Sequence, residues 1–371
     1  NQTGIKTNKD LVHSNVTINL SNGSGNLGVD GGSNDITSHA TIQHSGNSHS
    51  SNVIGIKSGG SVTNSGSITF DSDGNVTGIS GTDATNNGTI TIKNYKNGTG
   101  DKNVGVYGST SASNSTTGNI NVSGHYYNAG LLSPGAVSNS GTITVTGDYS
   151  DGINSTTNNG SSSSGTITVT GKRVNGIRGN ANANLTGGSV IVTSSGNIVD
   201  SHNNGVYAVN GNASVSNATV TMNSGEYNNG VYAKTGNVSV TNSSTINING
   251  TNHSNGVYAP SGDTTVDGSA GRVTINVGKT GSTSSNSNGI NLTKTGATNN
   301  IQYTTVNMVG SNNIGVRVDE PGNMTFQHNN MNMSGSGNYG LYLAPNKSIT
   351  GITGNSTTSD GSSNVGIFIS E

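Results

Sequence analysis

The hexapeptide NNGVYA occupies residues 203–208 and again residues 228–233, and the closely similar SNGVYA occupies residues 254–259. In this motif the glycine is followed by Val, and a glycine followed by Ile, Val or Leu recurs along the whole chain. Fifteen such glycines stand from Gly4 to Gly366, so their mean spacing is about 26 residues. Flexible Gly/Ser linkers have no reason to keep a period, so this pattern indicates a repeat protein.

A second pattern follows each glycine after about 14 to 18 residues. Here aliphatic residues alternate with Thr or Asn, as in Ile143/Val145 and Ile167/Val169, which is typical of a half-buried β-strand. A shorter apolar segment often lies between the two patterns and ends in a turn such as Asn139-Ser140-Gly141. Each repeat therefore predicts three short strands separated by turns.

Three short strands cannot bury a core alone, but they can when successive repeats stack. We therefore predict an all-β fold, a right-handed parallel β-helix (solenoid) of about 14–15 coils with roughly 26 residues per coil. We expect residues 1–371 to form a single β-helical rod segment. The repeat reaches both ends without a polar cap, so we expect this segment to be a fragment of a longer chain.

The strand that contains the glycine predicts which side chains face inward. The first and third residues after the glycine are mostly apolar or small and are expected to line the interior, while the second faces outward. An Asn precedes the glycine by one or two places in most repeats. Because Asn tolerates left-handed backbone angles, we expect these residues to turn a corner and their amides to bond to each other along the coil.

Composition excludes several classes of function. Charged residues make up 9% of the chain and the net charge is −2, so no strong field attracts nucleic acid. The chain has no Cys, which excludes disulfides and thiol catalysis, and its helix-forming residues are too scarce for a helical bundle. No apolar run reaches the length of a membrane span, so we expect no nucleic-acid partner and no direct membrane insertion of this segment.

Candidate chemical sites are few. The carboxylates are scattered and no Gly-x-Ser-x-Gly motif is present, so we predict no catalytic residue, no enzyme activity and no cofactor. The stretch 71–75 (DSDGN) resembles half of a calcium loop but lacks the distal Glu, and His39, His44 and His49 fit no zinc signature. We interpret both as exposed turns and predict no metal site.

The tyrosines are the candidate binding residues. Tyr207, Tyr232 and Tyr258 occupy the same outward position on three consecutive coils, and Tyr107 and Tyr342 take that position elsewhere. We expect an exposed aromatic stripe. It is either a recognition surface that packs against a sugar or a protein, or a ladder that only stabilises its own strands.

The strings NSGSITF (residues 64–70), NNGTITI (86–92), NSGTITV (139–145) and NNGVYA resemble the passenger segments of large bacterial autotransporters. They look most like the fusobacterial outer-membrane adhesins. This resemblance implies a right-handed parallel β-helix exported by a C-terminal barrel outside this sequence, and virulence-associated adhesion at the extracellular face of the bacterial cell surface. Its implied partners are a host-cell surface protein or glycan, or other bacteria. Filamentous haemagglutinins, which are secreted by a separate barrel partner, remain an alternative.

Three hypotheses of function follow. The first is a cell-surface adhesin rod segment that displays shallow, repeated binding surfaces for host cells, glycans or other bacteria. The second is a passive structural spacer of a longer surface protein. The third is a carbohydrate-active β-helix enzyme, against which the scattered carboxylates argue.

Overall fold

The computed structural model describes residues 2–21, 23–45, 52–94, 102–157, 160–195, 202–249, 252–279 and 285–370. Every regular element within these ranges is a β-strand. The predicted parallel β-helix is confirmed, because parallel strands stack into a β-solenoid of about 13 turns with roughly 25 residues per turn. These described residues accordingly contain no helix that could span a membrane.

The chain divides into two compact units, Asn1–Asn180 and Ala181–Glu371. In both units a full turn carries three strands, which we name A, B and C in chain order, and like strands of successive turns form columns A, B and C. Strand A contains the repeated glycine, strand B is the short middle strand, and strand C carries the alternating aliphatic pair. The three strands predicted for each repeat are therefore confirmed.

In unit 1, some long strands bend and serve two columns. Column A contains β1 (Thr3–Lys6), β3 (Leu27–Asp30), β5 (Val53–Lys57), the first parts of β8 (Val76–Asn86) and β10 (Asn103–Asn114), β12 (Ala129–Ser133), β15 (Asp151–Ser155) and β18 (Asn175–Gly179). Column B contains the first parts of β2 (Leu11–Leu20) and β4 (Ile36–Ser45), β6 (Val62–Asn64), the last parts of β8 and β10, β13 (Ala136–Asn139) and β16 (Ser161–Ser163). Column C contains the last parts of β2 and β4, β7 (Ser67–Ser72), β9 (Thr89–Asn94), β11 (Asn119–Tyr126), β14 (Thr142–Asp148) and β17 (Thr166–Thr170).

In unit 2, each strand belongs to one column. Column B contains β19 (Ala183–Thr186), β22 (Ala213–Ser216), β25 (Val238–Thr241), β28 (Thr264–Asp267), β31 (Thr298–Gln302), β34 (Asn323–Gln327) and β37 (Ile352–Thr353). Column C contains β20 (Ser189–Thr193), β23 (Thr219–Asn223), β26 (Thr245–Asn249), β29 (Val273–Val277), β32 (Thr304–Ser311), β35 (Asn330–Ser336) and β38 (Ser356–Ser362). Column A contains β21 (Asn204–Ala208), β24 (Asn229–Ala233), β27 (Asn255–Tyr258), β30 (Asn288–Leu292), β33 (Ile314–Val318), β36 (Tyr339–Leu343) and β39 (Val365–Ile369).

The interior of each unit is filled by the predicted aliphatic positions. In column C, Ile143 and Val145 are fully buried, and in column A Val206 and Ala208 are fully buried on either side of a half-exposed Tyr207. The prediction of inward and outward positions in the glycine strand is therefore confirmed. The four prolines directly follow or lie close behind column A strands, where no inter-strand N–H is needed.

The repeated glycine lies at the tightest point of the interior. A Cβ atom built on Gly230 would lie 2.6 Å from the carbonyl oxygen of Gly256 in the next turn and 2.7 Å from Cγ2 of Ile246 in column C. Gly55 of unit 1 has the same surroundings, formed by Gly78 and Ile68. No side chain fits between the glycine carbonyl of the next turn and the aliphatic side chain of column C. A steric requirement for glycine therefore sets the period of the sequence.

The corner between strands C and A differs in detail from the prediction. We expected the Asn residues before the glycine to take left-handed angles, but the residue three places before the glycine does so, with φ of 54° at Tyr127, 57° at Tyr227 and 56° at Asn312. The next residue points inward and is buried, as Asn228 and Asn338 show. The left-handed residue thereby exposes its own side chain and turns the following Asn into the core.

These inward Asn and Ser residues form a ladder in unit 2. Each side-chain oxygen accepts the backbone N–H of the equivalent residue one turn earlier, at 2.9–3.2 Å. The donor-to-acceptor pairs are Asn203 to Asn228, Asn228 to Ser254, Ser254 to Ser287, Ser287 to Asn313, Asn313 to Asn338 and Asn338 to Asn364. The ladder satisfies buried N–H groups where the chain bends, which would otherwise destabilise the fold.

Unit 1 has a comparable ladder at the corner between strands B and C. The Nδ2 atoms of Asn64, Asn86 and Asn114 donate to the Oδ1 atoms of Asn86, Asn114 and Asn139, at 2.8, 2.9 and 2.9 Å. These four residues are almost completely buried. Amides of successive turns were expected to bond before the repeated glycine, where Asn229 Nδ2 donates to Asn204 Oδ1 and Asn255 Nδ2 to Asn229 Oδ1; they also do so here, at the Asn-x-Gly turn.

We expect Gly55→Ala to lower the free energy of unfolding by about 1–3 kcal/mol, because the new methyl group overlaps Gly78 and Ile68. Gly59→Ala in the same turn is the control, since its Cβ would come no closer than 3.2 Å to another atom, and its cost should stay below about 1 kcal/mol. Chemical denaturation of both variants measures the difference. Equal midpoints would contradict the steric explanation.

We expect Asn338→Ala to cost about 1–3 kcal/mol, because it leaves the buried N–H of Asn313 without its acceptor. Asn338→Ser should cost less, since serine accepts the same bond at Ser254 and Ser287. Thermal and chemical unfolding of the two variants provide the comparison, and a serine variant no more stable than the alanine variant would argue against the ladder.

Candidate functional site

The outward side of column A in unit 2 carries four of the five predicted tyrosines. One outward position is occupied in successive turns by residues paired in register: Tyr207, Tyr232, Tyr258, Asn291, Arg317, Tyr342 and Phe368. Parallel pairing places equivalent residues about 4.8 Å apart, so like side chains are brought into contact. The structure thus brings together the first three candidate tyrosines as consecutive neighbours.

The rings of these three tyrosines stack face to face. The centroids of Tyr207 and Tyr232 are 5.1 Å apart with planes inclined by 13°, and those of Tyr232 and Tyr258 are 5.6 Å apart with planes inclined by 15°. Both faces of the Tyr232 ring are therefore covered by its neighbours. Solvent meets ring edges and hydroxyl groups, so Tyr232 has no free face on which a sugar could stack.

The stack changes the acidity of its central member. Burial raises the pKa of Tyr232 above its ordinary value, and the neighbouring Tyr207 and Tyr258 phenols raise it further. A phenolate in this position would lose hydration and face two further groups that can become negative. The Tyr232 hydroxyl is therefore protonated, and able to donate a hydrogen bond, at neutral pH.

Tyr342 and Tyr107 lie in different surroundings. Tyr342 stacks on Phe368 with centroids 5.5 Å apart, and the guanidinium of Arg317 lies 5.6 Å from the Tyr342 ring centroid. Tyr107 belongs to unit 1, where Ser80 and Leu132 pair with it in register and carry no aromatic ring. The five candidate tyrosines therefore form a group of three, a separate aromatic group around Tyr342, and an isolated ring at Tyr107.

A second ring column was missed in the sequence. His202, Tyr227 and His253 stack with centroids 5.2 and 5.1 Å apart and planes inclined by 22° and 12°. All three are exposed, because each holds the left-handed corner position three places before the glycine. The signal was present, since His or Tyr recurs at that place in HNNG, YNNG and HSNG.

In each of these turns, an Asn stands in sequence between the residues of the two ring columns, and these Asn side chains form a row of amides. Asn229 Nδ2 donates to Asn204 Oδ1, Asn255 Nδ2 to Asn229 Oδ1, and Asn288 Nδ2 to Asn255 Oδ1, each at 3.0 Å. We name the three rows together the ladder face. It consists of His202/Tyr227/His253, Asn204/Asn229/Asn255 and Tyr207/Tyr232/Tyr258.

Column B of unit 2 carries an open groove of about 470 Å³. Its lining residues are mostly polar, with Ala213 and Val238 among them, and they include Asn182, Asn212, Asn237 and Asp263 in one row. Amide and hydroxyl groups dominate this lining, and the sequence analysis did not single it out. Its signal is a polar residue directly before each of four successive B strands, β19, β22, β25 and β28.

A buried carboxyl group with a raised pKa lies in unit 1. Asp151 is buried and accepts hydrogen bonds from Asn154 Nδ2 at 2.6 Å and Asn175 Nδ2 at 2.7 Å, while an Arg178 nitrogen lies 3.9 Å away. Burial raises the pKa of Asp151 against the opposing effects of these partners. Asp151 thus connects its own turn to the next one through Asn175. The absence of enzyme activity stays a prediction.

The structure corrects one interpretation of the histidines. His44 was expected in an exposed turn, but it occupies an inward position of column C, where it is buried and in register with Phe70. Its Nδ1 lies 3.0 Å from the backbone oxygen of Asp71. His39 is exposed as expected but lies within β4 instead of a turn, and His49 lies outside the described residues.

The described ranges contain no group of three or more His, Cys, Asp or Glu residues that could hold a metal ion. The half calcium loop was expected to be an exposed turn, but Asp71 lies within β7, Asp73 follows its end, and both are partly buried. The absence of a metal site in the whole protein stays a prediction.

The chain was compared with known proteins at the level of family, sequence and structure. No protein-family model, curated protein or solved structure matches it.

Tyr232 should make a constant contribution to the free energy of unfolding below the ordinary tyrosine pKa of about 10. This contribution should be lost as the pH rises from that value through the raised pKa of Tyr232 in the folded state. The sign follows because the folded state favours the protonated phenol. Tyr207→Phe with Tyr258→Phe keeps the rings but removes both neighbouring phenolates, so Tyr232 should ionise at lower pH in this variant. Ultraviolet titration of phenolate absorbance, with Tyr232→Phe to assign the signal, measures this. Ionisation of Tyr232 at or below the ordinary pKa would argue against the stack.

Proposed function

We propose that this chain is a segment of a bacterial cell-surface adhesin and that the ladder face of unit 2 is one of its binding surfaces. The partner is a protein or glycan of a host-cell surface, or the surface of another bacterium. The observation that carries the proposal is the alignment of two exposed or half-exposed ring columns with an amide row over three consecutive turns.

Several properties of the ladder face suit adhesion. Its side chains are fixed by ring stacking and by hydrogen bonds between side-chain amides, so little conformational entropy is lost when a partner binds. Tyr and His present an apolar body with a polar tip, which suits recognition surfaces. Because equivalent groups repeat over three consecutive turns, weak individual contacts can act together as multivalent binding.

The ring geometry limits how a partner binds. The inner rings offer edges and hydroxyl groups instead of faces, so we expect hydrogen bonds to the hydroxyls of Tyr207, Tyr232 and Tyr258 and apolar contacts with ring edges. Stacking of a sugar on the face of Tyr232 is not part of the proposal. Extracellular display at the bacterial surface, as the resemblance implies, is part of it.

A passive structural spacer is the second candidate function. It is favoured by the same stacking, because rings that cover each other's faces also stabilise adjacent strands without any partner. Under this hypothesis binding belongs to another part of a longer surface protein. The two functions differ in whether the tyrosine hydroxyls matter to adhesion.

The test uses a variant that keeps the stack and removes the hydroxyls, Tyr207→Phe/Tyr232→Phe/Tyr258→Phe. Purified chain immobilised on beads should retain host cells or partner bacteria, and the triple variant should retain them at least about tenfold less, because three hydrogen bonds of about 0.5–1.5 kcal/mol each are lost. Tyr107→Phe in unit 1 is the matched control and should retain cells normally. Retention of neither cell type by the unchanged chain would remove the proposal, and equal retention by the triple variant would favour the spacer.

A further inference from the structure

We propose that the polar groove on column B of unit 2 binds a linear, neutral oligosaccharide that lies along the stack of turns, with one sugar unit per turn. This inference rests on the proposed function, because it names a class of partner for an adhesin. It concerns a different surface from the ladder face, and it is carried by hydrogen-bonding groups in the groove.

The first row of the groove is a set of fixed amide donors. The Oδ1 atoms of Asn182, Asn212 and Asn237 each accept the backbone N–H of the next residue in the row, at 2.9, 2.9 and 2.8 Å. These bonds hold each carboxamide in one orientation, and each of the three residues is exposed. Because the oxygen is engaged on the protein side, the Nδ2 group is left to donate to a ligand, once in every turn.

The second row offers both donors and acceptors. Asn184, Ser214, Ser239 and Thr265 are paired in register, and they line the same groove. Ser214 Oγ donates to Asn184 Oδ1 at 2.7 Å, which fixes the start of the row. Sugar hydroxyls both donate and accept hydrogen bonds, so an amide row beside a hydroxyl row is complementary to them.

The charge of the groove favours a neutral ligand. Asp263 continues the first row, and its Oδ1 accepts the backbone N–H of Thr298 at 3.0 Å and lies 3.4 Å from Lys294 Nζ. The acid and the base offset each other, and the other lining residues are uncharged. An anionic chain would find no unpaired cation along this row and would meet the Asp263 carboxylate.

The spacing of the rows favours a sugar chain over an extended peptide. Adjacent turns are about 4.8 Å apart, whereas a peptide strand advances about 3.3 Å per residue and twice that between side chains on one side. A peptide lying along the stack would therefore lose register with the donors within two turns. A hexopyranose unit in an extended chain advances by a distance close to the spacing between turns, so one sugar unit can lie beside the donor of each turn.

The test titrates the full chain with cellohexaose, chitohexaose and maltohexaose, and with a hexasaccharide of galacturonic acid as the anionic comparison. Calorimetry measures affinity, and the side-chain amide resonances of Asn182, Asn212 and Asn237 report the place of binding. We expect a neutral hexasaccharide to bind and shift these three resonances. Absence of binding by all three neutral probes, or tighter binding of the anionic probe, overturns the proposal.

Asn212→Asp is the deciding variant, because a carboxylate keeps the oxygen that anchors the N–H of Asn237 and removes the Nδ2 donor. Asp263 fills the same role in the same row, so the fold should tolerate the change. We expect affinity to fall about three- to tenfold. Asn217→Asp, an exposed position of the same turn outside the groove, adds the same charge and should leave affinity unchanged.

Two outcomes separate this inference from the proposed function. Cell retention by the unchanged chain without oligosaccharide binding overturns the groove proposal and leaves adhesion standing. Oligosaccharide binding that Asn212→Asp weakens, without retention of any cell, supports the groove and contradicts adhesion through this segment. Binding that is as tight in Asn212→Asp as in the unchanged chain overturns the assignment of the groove.

Discussion

The close approach of strands A and C at each repeated glycine is the constraint on which the structure depends. At Gly230 the space for a Cβ atom is already occupied by the backbone of Gly256 and the side chain of Ile246. This contact allows the aliphatic pairs of column C to reach the glycine strand and fill the interior without voids. It also fixes how each turn lies on the next, so equivalent residues of successive turns are held directly above one another. Regular spacing of all the other groups follows from that alignment.

Once equivalent residues are aligned, like side chains form ladders, and their chemistry depends on which way they face. Inward Asn and Ser satisfy the buried N–H groups at the corners, whereas outward Asn, Tyr and His form the ladder face. The same alignment covers the flat faces of the inner rings. A surface that looks in sequence like an aromatic platform therefore presents edges and hydroxyl groups. The polar groove of column B shows the complementary case, in which a fixed oxygen leaves its amide nitrogen available to a ligand.

The sequence was sufficient for the parallel β-helix, for the three strands of each turn and for the inward or outward direction of Val206, Tyr207 and Ala208. Those features follow from periodicity, which is a local property of the chain. It was insufficient for the corner, where the left-handed residue precedes the expected Asn, and for His44, whose inward position follows from its register with Phe70. The ring column of His202, Tyr227 and His253 was also missed, because their contact requires the exact rise from one turn to the next. The groove escaped for the same reason, since its rows combine residues about 25 positions apart.

The sequence by itself determined the period, the strand positions and the identity of the core residues, because each depends on the order of side chains along one turn. Only the tertiary structure decided which surfaces those turns create. It brought Tyr207, Tyr232 and Tyr258 into one stack, placed Tyr342 beside Arg317 and Phe368, and left Tyr107 between Ser80 and Leu132. The physical reason is that a side chain's neighbours on a solenoid come from the turns before and after it. The register between turns decides which residues those neighbours are. Insertions at the corners change the spacing of these residues in the sequence but leave the stacking of the strands unchanged.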